Sequence, residues 1–361
     1  AFLAPLLPLL IEKLGISYTL AGALNVINRV PMLLNPFFGL MADKIHMRFL
    51  VIFTPLLTAV TASLLGAAPD FIFLSILVFV MGLSAALFHV PSPVMIRKVS
   101  GKYVGRGMSF YMFGGEVART IGPLVILGAV SAFGLENTWY LIPVSAGFTV
   151  YLYYALKDIH ISEEFQAKKE EAHYTDTLKK YTGFLLMLSG LLAFRSLLKS
   201  AVTAFLPTYL TDQGETVWYG GIALVALEAA GAAGTLLAGT LSDRIGRKST
   251  LVVASILSPI VFWFFVHAGP AMQFPMLIVL GFFLFASGPV LLAMVQDLGS
   301  ERPAFINGIY MTINFFFGSL TVMLVGFLGD RIGLFFTYEI IAFASLLTIP
   351  FAVMIFRYTG N

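Results

Sequence analysis

The chain has 361 residues, 58% of them hydrophobic and 11% charged, with a formal net charge of +3 and no cysteine. A soluble domain of this size carries about a quarter charged residues, so the composition excludes a water-soluble globular protein and places the chain in the lipid bilayer. The lack of thiols excludes a disulfide scaffold and thiolate metal sites.

Apolar segments with short polar breaks predict helices over approximately 1–14, 17–41, 49–67, 71–97, 104–132, 138–157, 182–210, 217–241, 250–267, 272–296, 305–328 and 334–357. Backbone in lipid must satisfy its own hydrogen bonds, and runs this long and continuous are helices rather than barrel strands. A spanning helix needs about 20 apolar residues, whereas Glu12 and Lys13 interrupt the opening run. The first helix is therefore expected to be truncated; a cleaved signal peptide would need a basic n-region, which is absent.

Sixteen of the 22 Lys and Arg residues fall in one set of loops and the C-terminus, against Lys13 and Arg331 in the opposite set. Positive loops stay inside, so both termini are expected in the cytoplasm and the chain in a cell membrane, with a bacterial inner membrane the expected setting. The longest polar interval, about 158–180, carries Glu163, Glu164, Lys168, Lys169, Glu170 and Glu171 and reads as a solvated linker with a short amphipathic helix. The expected organisation is an N-terminal bundle over 1–158, a cytoplasmic linker over 159–180 and a C-terminal bundle over 181–361. The halves correspond at an offset near 200, pairing Pro8 with Pro207, Asp43 with Asp243 and Gly107 with Gly308. The fold class is an all-α integral membrane protein: twelve transmembrane helices in two pseudo-symmetric six-helix bundles. Parallel repeats of this kind are a transporter design with the substrate at the repeat interface.

A polar knot, Gly239-Thr240-Leu241-Ser242-Asp243-Arg244-Ile245-Gly246-Arg247-Lys248, sits between two apolar runs, and Gly39 to Arg48 repeats its order in the first half. This loop motif resembles the signature of the major facilitator superfamily. A second stretch, from Phe88-His89-Val90-Pro91 through Arg97, Ser100-Gly101, Gly105, Ser109 and Gly114-Gly115 to Gly122-Pro123, resembles the fosmidomycin-resistance type of exporter within that superfamily. Those proteins carry Phe-His-Pro-Glu where Val90 and Pro91 stand here, so a mechanism leaning on that acid is not carried over. Gly114 and Gly122-Pro123 match only part of the antiporter signature.

The resemblance implies a twelve-helix fold working as a monomer. Gly39, Asp43, Arg97, Gly239, Asp243, Arg244 and Arg247 would then tie the cytoplasmic bundle ends together while the site faces outward. Physically, Asp suits a helix N-terminus and Arg forks to carboxylates. The bland alternative is that basic loop residues only report topology.

A charge inside a membrane helix costs about 2.5–3.5 kcal/mol on insertion scales. Arg29, Glu116, Arg119, Arg195, Lys199 and Glu228 lie near mid-helix, and Glu339 nearer an end. The deep set has more basic than acidic groups, which points to an electropositive cavity for an organic anion. The substrate-binding candidates are Arg29, Arg119, Arg195, Lys199, Tyr310 and Asn314. Glu116 with Arg119 as a local pair, and Lys199 snorkelling to the edge, are the structural alternatives. Asn25, Asn28, Tyr111 and Asn307 add polar or aromatic lining, or only helix contacts. Glu116, Glu228 and His89 are the proton-coupling candidates.

No phosphate-binding loop, metal-ligand spacing or nucleophile arrangement stands out, so neither an enzyme nor a cofactor or metal is expected. The basic residues border the membrane and do not indicate nucleic-acid binding. The expected function is secondary active transport of a small organic anion or amphiphilic drug by alternating access, as proton-coupled efflux in an antiporter. The alternatives are coupled uptake of an organic anion, or a non-transporting membrane sensor of the same fold.

Overall fold

The computed structural model describes residues 3–16, 18–42, 47–157 and 174–358. Among these there is no strand. The helices are α1 (Leu3–Leu14), α2 (Tyr18–Arg29), α3 (Asn35–Ala42), α4 (Met47–Ser63), α5 (Phe71–His89), α6 (Ser92–Ser100), α7 (Val104–Phe133) and α8 (Ile142–Leu156) in the first half. The second half holds α9 (Tyr174–Ala204), α10 (Leu206–Asp212), α11 (Val217–Ile245), α12 (Arg247–His267), α13 (Pro270–Asp297), α14 (Pro303–Ile332), α15 (Leu334–Ser345) and α16 (Thr348–Met354).

Nine helical stretches among the described residues are long and apolar enough to cross a membrane. The shorter first-half elements have local causes. A 3-10 stretch, Val30–Leu34, separates α2 from α3, with Pro31 inside it and Pro36 just after. Val90 and Pro91 separate α5 from α6. Proline removes a backbone donor and crowds the preceding turn, so each break falls where the sequence places its prolines. Side-chain caps open α5 and α11. Asp70 accepts from Phe73 N at 2.8 Å and opens α5, and Thr216 accepts from Tyr219 N at 3.1 Å and opens α11. Side chains such as Ile72, Leu124, Val144, Tyr151, Val225 and Met323 stand 64–75% exposed, the surface of a protein whose outer solvent is lipid.

The chain forms two compact units that interleave in sequence. The first comprises Ala1–Lys98, Val117–His173 and Ser300–Thr312; the second comprises Val99–Glu116, Tyr174–Gly299 and Ile313–Asn361. The opening turns of α7 thus belong with second-half helices, and the opening turns of α14 with first-half helices. In the first unit Leu6, Leu10, Leu24, Leu74, Val78 and Ile126 form a buried cluster. At the end away from the basic loops, Lys13 Nζ donates to the Gly66 carbonyl at 2.9 Å and pairs with Glu136 at 2.8 Å. In the second unit Tyr209, Phe262, Phe265, Leu280 and Tyr338 are buried together, with the Tyr209 and Tyr338 rings stacked at 4.2 Å.

Candidate functional site

The polar knot at the end of α11 builds the best-defined site, entirely within the second unit. Gly246, at φ +94°, turns the chain from α11 into α12 within one residue, a backbone state that favours glycine. That sharp turn brings Arg247 back beside Asp243, whose side chain is only 3% exposed. Asp243 Oδ1 accepts from Gly105 N at 2.9 Å and Oδ2 from Arg106 N at 2.8 Å. These are orphan donors in the first turn of α7. The residue before α7 is Tyr103, which is not an N-cap type, so a carboxylate from far along the chain caps the helix. The positive end of the helix and the charged acceptor strengthen each other.

Arg247 Nη1 donates to Asp243 Oδ1 and to Ser242 Oγ, both at 2.6 Å, while Nε donates to Asp297 Oδ2 at 3.0 Å. A cation at a helix N-terminus is normally unfavourable; two carboxylates offset that here. Gly239 and Gly105 complete the clasp. A Cβ on Gly239 would collide with the Gly105 carbonyl and Ser109 Oγ, and one on Gly105 with Gly239 O. Ser109 Oγ accepts from Gly239 N at 2.9 Å and donates to Thr235 O at 2.7 Å. It thereby bridges the two groups that an α-helical turn of α11 would itself join. Arg244 is exposed in the last turn of α11, where a cation suits the helix C-terminus.

In the first half, Asp43 lies outside the described residues. Gly39 is described and buried: a Cβ there would fall 2.5 Å from Ala304 O and 2.6 Å from Phe305 Cα, so α3 touches the start of α14 backbone to backbone. Arg97 is half-buried in the last turn of α6.

The deep charged residues are distributed over both units. Arg29 ends α2 and Arg119 lies on α7, both exposed, and Glu116 on α7 is buried. Glu228, Asn314 and His89 are half-buried, and Tyr310 is buried. Lys199 Nζ sits 4.9 Å from the Phe285 ring centroid, a cation–π contact. Arg195 Nε donates to Ser287 Oγ at 2.5 Å and a terminal nitrogen to Leu284 O at 3.4 Å. Its side chain lines a small recess, with room for little more than one water molecule, together with Ser255, Ser258, Ser345 and Thr348. Ser258, Ser345 and Thr348 send their protons to helix carbonyls, so they turn lone pairs to the recess and Arg195 is its cationic donor.

Sequence reasoning missed Gly105, Ser109 and Asp297 as partners of the knot. A signal existed for Asp297, because an acid at a helix C-terminus opposes the macrodipole and asks for a cation. Among the described residues no His/Cys/Asp/Glu group has the clustering to hold a metal ion.

The Major Facilitator Superfamily model matches residues 1–322. The chain belongs to that superfamily. Its members are transporters rather than enzymes, and this chain is a membrane transporter of that class. It is 26% identical over 361 residues to the uncharacterized MFS-type transporter YfnC of Bacillus subtilis, covering 97% of this chain and 87% of that protein. It is 23% identical over 345 residues to the fosmidomycin resistance protein of Escherichia coli, covering 94% of this chain and 85% of that protein. A crystal structure of the E. coli fucose:proton symporter FucP superposes with a TM-score of 0.77 at 14% identity, covering 100% of this chain and 95% of that one. That likeness establishes the superfamily fold, as expected from the repeated knot.

Proposed function

We propose that this superfamily member exports a small organic anion or amphiphilic drug against inward protons, by alternating access, in a cell membrane with the basic loops in the cytoplasm. The observation that carries the reading is the Asp243 clasp. It joins α7, from the first half of the sequence, to α11 and α12, from the second, at the basic-loop end. Its bonds are few, directional and charge-assisted, the character needed of contacts that form and break within each cycle. The basic candidates Arg29, Arg119, Arg195 and Lys199 support an anionic substrate, since guanidinium groups fork to carboxylates and phosphonates. Tyr310 and Asn314 complete the proposed substrate set, with Glu116, Glu228 and His89 as proton carriers. Similarity to the fosmidomycin resistance protein favours export. The two six-helix bundles, over 1–158 and 181–361, are proposed as the moving bodies.

The test is flux in proteoliposomes carrying a trapped pH dye, with a panel of phosphonates, carboxylates and sulfonates. Export coupling predicts proton movement opposite to the anion; movement in the same direction would make the protein an uptake system, and no anion-dependent proton movement rejects the reading. Asp243→Asn keeps the shape but weakens two backbone caps and the ion pair. It is expected to lower flux at least tenfold, from the loss of about 2 kcal/mol of charge-assisted bonding in one state of the cycle.

A further inference from the structure

A second set of contacts at the breaks in the first-half helices has no charge in it. In an α-helix each N–H answers the carbonyl four residues earlier, and proline has no N–H to give. Pro36 therefore deprives the Met32 carbonyl of its helical partner, and Pro93 deprives the His89 carbonyl. Both are answered from α14. Asn307 Nδ2 donates to His89 O at 3.2 Å and to Val90 O at 2.7 Å. Thr312 Oγ1 donates to Met32 O at 3.4 Å, beside the 3-10 bond from Asn35 N. Between them Gly308 has no room for a side chain, because a Cβ would collide with the Asn35 carbonyl. Asn307, Val90, Asn35 and Ala304 are all fully buried. All of these residues belong to the first unit.

We infer that Asn307 is a neutral latch residue of the transport cycle: its amide holds the carbonyls at the α5–α6 break while the basic-loop end is closed, and releases them when that end opens. The inference rests on the alternating-access reading above. The His89 carbonyl, which Pro93 leaves without its helical donor, and the neighbouring Val90 carbonyl at the break are suited to the task. Released, they take hydrogen bonds from entering water, so the latch exchanges partners rather than orphaning them. One neutral hydrogen bond shifts an equilibrium about fivefold, strong enough to bias the closed state and weak enough to let go. The buried Asn35 side chain works the other way. Among the described residues neither its oxygen nor its nitrogen has a hydrogen-bond partner, a cost confined to the closed packing that favours opening. The neutral latch and the charged Asp243 clasp are thus two separate holds, only one of which responds to salt.

The chain contains no cysteine, so Ala304→Cys supplies a unique thiol. Ala304 is buried beside Val90 and Val94 and reports whether this seam is open. The full-length protein in sealed vesicles is labelled from the basic-loop side with a membrane-impermeant maleimide, in parallel with thermal unfolding. With the latch, Asn307→Ala raises the labelling rate about tenfold. Asn307→Asp, normalised to its parent at each pH, labels fast when ionised and slows on acidification, because only the protonated acid can donate to a carbonyl. If Asp243→Asn raises the rate and neither Asn307 variant does, the latch is wrong and the gate reading stands. If none of the three raises it, the gate reading fails and the latch with it. A fall in melting temperature with unchanged labelling makes Asn307 a structural residue and overturns the inference.

Discussion

Two buried polar side chains at the ends of the interleaved helices illustrate how placement decides the sign of a contribution. Asp243 is almost fully buried and uses both oxygens on α7 backbone donors, so its desolvation is offset by three charge-assisted bonds. Asn35 is also buried, and neither of its polar side-chain atoms has a hydrogen-bond partner among the described residues. An unsatisfied buried amide costs about 1–3 kcal/mol. Asn35→Leu, which keeps the branched outline of four side-chain heavy atoms without polar ones, is expected to stabilise the protein in thermal unfolding by removing the unsatisfied amide, less the cost of its larger volume, and to slow transport by favouring the closed packing. Lower stability in both Asn35→Leu and the smaller Asn35→Ala would show that the Asn35 amide has a partner in solution.

Among the elements, the tie at the end away from the basic loops makes a pH prediction. Lys13, in the last turn of α1, bonds both the Gly66 carbonyl and Glu136, drawing α1 to the short segments at 65–67 and 135–141. The hydrogen bond and charge of Lys13 hold the Glu136 carboxyl below its ordinary value of 4.5. A depressed acid contributes stability that is fully present above its unfolded value and disappears as pH falls through the folded one. The melting temperature of the parent should therefore exceed that of Glu136→Gln at neutral pH by a small margin, because the pair is exposed, and the gap should narrow as the pH falls below the ordinary value of 4.5 and vanish below the depressed folded one. A gap that persists in acid would assign the effect to packing. Sequence periodicity could not foresee this tie, since Lys13 and Glu136 lie far apart and neither belongs to a pattern. The same limit hid Ser109, whose hydroxyl acts on a turn of α11, and the role of Asn307, which depends on the carbonyls at the distant α5–α6 break. What was legible followed from local chemistry: apolar length marked the helices, and the repeated Gly–Asp–basic knot marked the fold and the Asp243 clasp, whereas the breaks at 30–34 and 90–91 inside the expected helices 17–41 and 71–97 were not foreseen. The partners of a knot residue are set by tertiary placement, which one sequence does not carry.

For the whole molecule, the anionic-substrate reading turns on what Arg29 and Arg195 do when no substrate is present. A ligand that binds only the folded state stabilises it by mass action, about 2.7 kcal/mol at one hundred times its dissociation constant, a shift of several degrees for a chain of this size. Anions from the phosphonate, carboxylate and sulfonate panel are therefore expected to raise the melting temperature. Arg29→Ala and Arg195→Ala should each abolish that rise. Arg195 complicates the comparison, because it also bonds Ser287 and the Leu284 carbonyl, and its removal disturbs the hydroxyl-lined recess whether or not an anion binds. Ser287→Ala separates the two effects: it removes one internal partner of Arg195 and keeps the guanidinium charge. A retained or enlarged anion shift in Ser287→Ala, with loss in Arg195→Ala, identifies the charge as the ligand's partner. Loss in both variants, or stabilisation by lipophilic cations in place of anions, makes Arg195 a structural support of the second unit and removes the anionic substrate from the proposal.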